Sequence, residues 1–213
     1  MMDAFGLYLV LTAPVAGYDA CMEAAVEHGV QYVQLRMKDA RREDVIRMGQ
    51  RLADVRRGSS TRLIINDDLE AARAVDADGL HVGQDDIRVD VARKLWPASD
   101  GKILGLSTHD EVQATRAEIL TPDYIGVGPI FPTPTKRVPD PVLGIERAAH
   151  IVRTAGRPCV AIGGIDADNL GAVLEAGIRN FAVVRFVCTD PRPAQPIGLL
   201  VNLWRERCAA SPS

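Results

Sequence analysis

Apolar residues recur along this chain in short, near-continuous runs, and a stretch of helical periodicity follows each run. The runs are 7–12 (LYLVLT), 32–38 (YVQLRMK), 62–67 (RLIIND), 79–84 (GLHVGQ), 103–108 (ILGLST), 124–131 (YIGVGPIF), 158–164 (PCVAIGG) and 180–187 (NFAVVRFV). Apolar runs without strict alternation are the pattern of parallel strands covered on both faces. Between them, Val45, Met48, Leu52 and Val55 share one face of a helix over 42–57. Ile197, Leu200, Val201 and Trp204 make a second stripe over 195–207. Over 166–176, Asp166 is placed as N-cap, Leu170, Val173 and Leu174 form the apolar face, and Gly177 ends the helix. Shorter helical patterns lie at 19–28, 69–75, 88–96, 110–119 and 145–155. Eight strand–helix pairs predict an α/β fold, a closed (β/α)8 TIM barrel, with an open doubly wound sheet as the competing architecture. One domain over 1–213 is expected, with the small polar tail 208–213 frayed.

Composition narrows the function. Lys and Arg number 25 against 28 Asp and Glu, giving a net charge of −3, which argues against nucleic acid held on a basic surface. Aromatic content is 5%, too low for base-stacking platforms. The apolar start lacks a positive leader and reads as a first strand, not a signal sequence. No run is long enough for a membrane helix. Cys21, Cys159, Cys188 and Cys208 form no C-x-x-C pair, so a zinc site or disulfide framework is not expected and a cytoplasmic location is.

In a barrel of this kind the chemistry sits at the C-terminal strand ends. Run 32–38 ends in Gln34, Arg36 and Lys38, which alternation puts on one face. Polar side chains on an inward face are costly unless they bind something, and a cationic pair there suits an anion or a structural ion-pair layer. Asn66, Asp67 and Asp68 end the third run, and Asp85 and Asp86 follow the fourth. Paired carboxylates beside cations suit Mg²⁺ with a diphosphate. Helix capping is the competing role, and Asp68 and Asp85 fit it better than Asp67 and Asp86. Ser107 and His109 end the fifth run, His109 serving equally well as a base or as a structural group. The parity of His81 does not settle which way it faces. After the sixth run, Thr133, Thr135 and Lys136 supply donors for phosphate oxygens on a loop stiffened by Pro132 and Pro134. Gly163 and Gly164 let backbone amides approach a phosphate in the seventh unit. Two phosphorylated small-molecule substrates, one with a metal-bound diphosphate, would use all of these groups.

The segments Gln34–Lys38, Ile65–Asp67, Gly79–Asp86, Gly105–His109, Gly126–Lys136 and Val160–Ile165 together resemble the thiamine phosphate synthase family. The resemblance implies a transferase that couples an aminopyrimidine methyl diphosphate to a thiazole phosphate by dissociative loss of pyrophosphate. It implies Mg²⁺ on Asp67 and Asp86. It assigns the diphosphate to Arg36, Lys38, Asn66 and Lys136, and the pyrimidine to Gln34 and Ser107. Thr133, Thr135 and Gly164, with backbone near Val184 and Arg185, are assigned the thiazole phosphate. The chain departs from the family at Arg185 and Phe186, where small residues are usual; the bulk of Phe186 would crowd the phosphate loop. Two other readings compete, a thiazole tautomerase-like relative and a catalytically dead thiamine-phosphate-binding paralogue. The tautomerase would lack the Thr-containing loop and the metal carboxylates. A homo-oligomer is compatible with the sequence.

Overall fold

The computed structural model describes residues 4–135 and 141–209. Eight strands close a barrel in chain order: β1 (Leu7–Leu11), β2 (Tyr32–Leu35), β3 (Arg62–Asn66), β4 (Gly79–Val82), β5 (Ile103–Thr108), β6 (Tyr124–Val127), β7 (Cys159–Ile162) and β8 (Phe181–Val183). All neighbours are parallel, and β8 closes on β1 with Leu7 opposite Phe181. That closing pair excludes the open sheet. The helices are α1 (Tyr18–Glu27), α2 (Arg42–Val55), α3 (Leu69–Ala74), α4 (Val89–Leu95), α5 (Glu111–Leu120), α6 (Ile145–Thr154), α7 (Leu170–Glu175), α8 (Arg185–Cys188) and α9 (Ala194–Ala209). None of the described helices is long and apolar enough to cross a membrane.

The apolar runs carry two cores on alternating residues. Leu7, Leu9 and Leu11 of β1, Val33 and Leu35 of β2, and Leu104 and Leu106 of β5 face outward to the helices. Tyr8 and Val10, Tyr32, Ile64, Ile103, Tyr124, Val160 and Ala182 face inward and fill the barrel. The inward set is apolar toward the N-terminal end. It becomes polar toward the C-terminal end, where Gln34, Asn66, His81 and Ser107 project into one cavity.

Several elements differ from the sequence expectation, and β2, read over 32–38, stops at Leu35. β6 stops at Val127, because Pro129 after the cis Gly128–Pro129 bond has no N–H to continue the ladder. β8 stops at Val183, and Arg185–Val187, expected as strand, belongs to the single-turn helix α8. A short apolar run suits either state, and the helix is secured by backbone bonds from Cys188 N to Val184 O (2.9 Å) and Thr189 N to Arg185 O (3.0 Å). Asp166 is not the residue flanking α7. The helix starts after Asn169, and Asp166 Oδ1 accepts from the amides of Asp168 and Asn169 in the turn before it. The last helix continues through Cys208 to Ala209, and 210–213 lie outside the described residues.

Candidate active site

A cavity of about 820 Å³ opens at the C-terminal mouth of the barrel. Gln34, Arg36, Asn66, Ser107, Thr133, Thr135, Gly164, Val184 and Arg185 all line it, as the strand-end reading expects. Lys136 lies outside the described residues. Lys38, Asp67 and Asp86 are not in the cavity wall; they gather beside it, in electrostatic reach of Arg36 through Asp67.

Each wall has a local cause. Gln34 is the third residue of β2, buried, and donates to Tyr8 Oη at 2.9 Å. Arg36 follows the strand, half-buried, with Nη1 3.3 Å from Thr12 Oγ1. Burial lowers its pKa, while Asp67 and Asp39 oppose the shift. A guanidinium keeps its charge in proteins, so a partly desolvated one is a ready anion site. Asp67 sits at φ 63°, with Lys38 ion-paired to its Oδ2. Burial raises the Asp67 carboxyl pKa first, the neighbouring Asp86 carboxyl raises it further, and Lys38 opposes both. Asp86 Oδ2 accepts from Gly83 N at 2.7 Å, which fixes its loop.

Asp67, its charge disfavoured by burial and by the carboxyl of Asp86 beside it, is short of positive charge, and this fits a divalent cation. Among the described residues no group of three or more His, Cys, Asp or Glu is placed to hold a metal. A pair of carboxylates suits Mg²⁺, which takes few of them and completes its shell with water and substrate phosphate. Asp68 is a cap, as expected: it flanks α3 and accepts from Ala71 N at 2.9 Å. Asp85 is exposed and caps nothing, since α4 begins after Arg88.

The opposite wall is backbone-rich. Gly163 and Gly164 have φ 109° and 65°. A Cβ on Gly163 would lie 2.5 Å from Pro129 Cβ, and one on Gly164 would lie 2.7 Å from Phe131 Cβ. Only glycine lets the β6 and β7 loops approach this closely. They are tied by Ile130 N to Ile162 O and Phe131 N to Gly163 O, both 3.0 Å. Asn169 Nδ2 donates to Gly164 O at 2.8 Å. Thr133 Oγ1 and Thr135 Oγ1 are 3.0 Å apart. His109 also lines the cavity. Its Nδ1 lies 2.7 Å from Gly128 O, and since a carbonyl only accepts, Nδ1 carries the hydrogen.

The sequence reading missed Tyr8 and Tyr124 and left His81 without a role. All three line the cavity. Tyrosines inside apolar runs read as core, and these two are almost wholly buried. The available signal was parity: Tyr8 stands opposite Tyr32, two residues before Gln34, and His81 stands opposite Asn66.

The protein is a closed (β/α)8 barrel with polar side chains gathered at the C-terminal face around one cavity. The family model described as thiamine monophosphate synthase matches residues 7–187, and the chain belongs to that family. It is 42% identical over 199 residues to a thiamine-phosphate synthase of Synechocystis, covering 92% of this chain and 56% of that protein's length. A thiamine-phosphate synthase of Vibrio campbellii is 38% identical, with 96% of this chain and 100% of that protein covered. Among solved structures, a thiamine phosphate pyrophosphorylase from Pyrococcus furiosus superposes with TM-score 0.87 at 29% identity, covering 96% of this chain and 98% of that one.

Proposed function

We propose that this chain is a thiamine-phosphate synthase, a transferase that joins 4-amino-2-methyl-5-pyrimidinylmethyl diphosphate to 4-methyl-5-(2-phosphoethyl)thiazole and releases pyrophosphate. The observation that carries the reading is one cavity with anion-binding chemistry on two sides. Arg36 and Asn66 stand on one, and Thr133, Thr135, Gly163, Gly164 and Arg185 on the other.

Arg36, Lys38, Asn66 and, by its motif, Lys136 bind the diphosphate. Gln34 and Ser107 face the pyrimidine. Thr133, Thr135 and Gly164, with the backbone at Val184 and Arg185, hold the thiazole phosphate. Asp67 and Asp86 hold Mg²⁺, which when bound neutralises charge on the diphosphate oxygens. The C–O bond to the diphosphate breaks first, and the electron pair leaves with pyrophosphate. Arg36 and Lys38 stabilise the charge that grows on those oxygens. The aminopyrimidine ring delocalises the methylene cation, and the thiazole nitrogen lone pair forms the new C–N bond. The apolar wall of Val160, Ile162, Ala182 and Val184 limits water at the cation. No protein nucleophile is required. Buried free thiols suit work in the cytoplasm.

The test is pyrophosphate release from purified protein with both substrates and Mg²⁺, with and without EDTA. Release that needs both substrates and stops with chelator is expected. Binding of either substrate without release would move the reading to a degenerate binder, with Phe186 crowding the phosphate loop as the first suspect.

A further inference from the structure

Five side chains from five strands form one hydrogen-bonded chain at the cavity floor. Gln34 Nε2 donates to Tyr8 Oη at 2.9 Å, and Tyr8 Oη lies 2.8 Å from Tyr124 Oη. Tyr124 Oη lies 2.9 Å from His81 Nδ1, and His81 Nε2 lies 2.9 Å from Ser107 Oγ.

With one hydrogen per hydroxyl, the orientation of the Gln34 amide sets the direction of the whole chain. Tyr8 Oη accepts from the Gln34 amide, so its own hydrogen goes to Tyr124. Tyr124 then gives its hydrogen to His81 Nδ1. A neutral imidazole that accepts at Nδ1 carries its hydrogen at Nε2, which donates to Ser107 Oγ. The Ser107 hydroxyl hydrogen is thereby left for the cavity, and Gln34 keeps Oε1 as its acceptor.

The arrangement is built into the barrel and not incidental to it. A Cβ on Gly105 of β5 would lie 2.5 Å from His81 Nδ1, and one on Gly126 of β6 would lie 3.5 Å from His81 Cε1. Gly105, whose Cβ would also lie 2.2 Å from Tyr124 Cζ, thus makes the space in which the imidazole and the Tyr124 phenol meet, while Gly126 stands in ordinary contact with the ring. Tyr8 and Tyr124 are 2% and 1% exposed, so neither hydroxyl can exchange its partner for bulk water.

We propose that Tyr8, Tyr124 and His81 are positioning residues that polarise this chain, so that Ser107 acts as donor and Gln34 as acceptor toward the substrate ring. The proposal rests on the synthase reading. The ring such a pair selects has an unprotonated ring nitrogen beside an exocyclic amine: the nitrogen accepts from Ser107 and the amine donates to Gln34. A reversed chain, with the Gln34 amide turned over, would tie up the Ser107 hydrogen on His81. It would then suit a ring N–H, as in the oxo analogue of the same pyrimidine.

Two measurements decide it. The first is ¹⁵N NMR of histidine-labelled protein at pH 8.5, with the His81 signals assigned by His81→Gln. The Nε2–H tautomer is expected in the wild type, with mixed tautomers in Tyr124→Phe. An Nδ1–H tautomer in the wild type would overturn the proposal. The second is a cycle of Tyr124→Phe, Ser107→Ala and the double variant, reading kcat and KM for the pyrimidine diphosphate. If Tyr124 acts through Ser107, Tyr124→Phe loses about tenfold in kcat/KM, and the double variant is no worse than Ser107→Ala. Losses that multiply would give Tyr124 only a packing role and would also overturn the proposal. The tautomer needs no turnover, so an inactive wild type would sink the assigned reaction while the NMR still decided the direction of the chain.

Discussion

Asp67 and Asp68 are adjacent carboxylates in very different surroundings. Asp68 closes the first turn of α3 through Ala71 N and pairs with Arg42 at 2.7 Å. Asp67 sits in the left-handed region, paired with Lys38 and facing Asp86. Replacing Asp68 by Ala removes a cap and is expected to cost about 1 kcal/mol with little change in turnover. Asp67→Asn keeps the shape and tolerates the positive φ, yet removes the charge. It is expected to lower kcat/KM by about a hundredfold without loss of stability, since a charge disfavoured by burial and by Asp86 is gone. Urea titration and pyrophosphate release on the two variants separate the effects; turnover in Asp67→Asn equal to the wild type would remove it from the site. Sequence could rank these two carboxylates because capping needs an acceptor just before a helix, and only Asp68 stands there. It could not place Asp67 beside the cavity and not within its wall, because that depends on the backbone turn at φ 63°.

At the scale of elements, the strands are joined at the N-terminal end by a repeated device. The residue just before β4, Asp78, accepts from Leu63 N of β3 at 2.7 Å and pairs with Arg56 at 2.9 Å. The residue just before β6, Asp123, accepts from Leu104 N of β5 and pairs with Arg93, both at 2.7 Å. Asn180, just before β8, accepts from Phe5 N at 2.8 Å and Gly6 N at 3.3 Å, which seals the barrel closure. Asn180→Ala strands two buried amides and is expected to cost about 1–3 kcal/mol in urea unfolding, with kcat unchanged because the site lies at the other end. A loss below about half a kcal/mol would mean that closure does not depend on this cap. The eight strands themselves were legible, since each is an apolar run with both faces buried. Their ends were not. β2, β6 and β8 all stop short; after β6 a proline without N–H, and after β8 a single helical turn, interrupts pairing without interrupting hydrophobicity. The site was legible where polar residues break an apolar run, as Gln34, Asn66 and Ser107 do. It was hidden where Tyr8 and Tyr124 pass for core.

At the scale of the molecule, burial in the two cores of the barrel favours the protonated form of their thiols and phenols. Burial raises the thiols of Cys21 and Cys159 from 9.0 to about 12, and the Cys188 thiol also rises. Burial raises the phenols of Tyr8, Tyr32 and Tyr124 as well. Above the ordinary thiol range the unfolded chain loses protons that the folded barrel keeps, so the unfolded state binds fewer and stability falls as pH rises. A urea midpoint that drops steadily between pH 9 and 12 is expected, from the cited thiol values. A flat midpoint over that range would contradict the burial of these groups. The same closed architecture brings residues from distant parts of the chain, Arg36 and Arg185 among them, to one cavity. The measurement that tests this most directly is the yield of thiamine phosphate, by chromatography and mass, from purified protein given both substrates and Mg²⁺. One thiamine phosphate per pyrophosphate, and none when either substrate is omitted, is the result expected. Pyrophosphate released without thiamine phosphate, or neither product, would contradict a cavity that brings the two phosphorylated rings together.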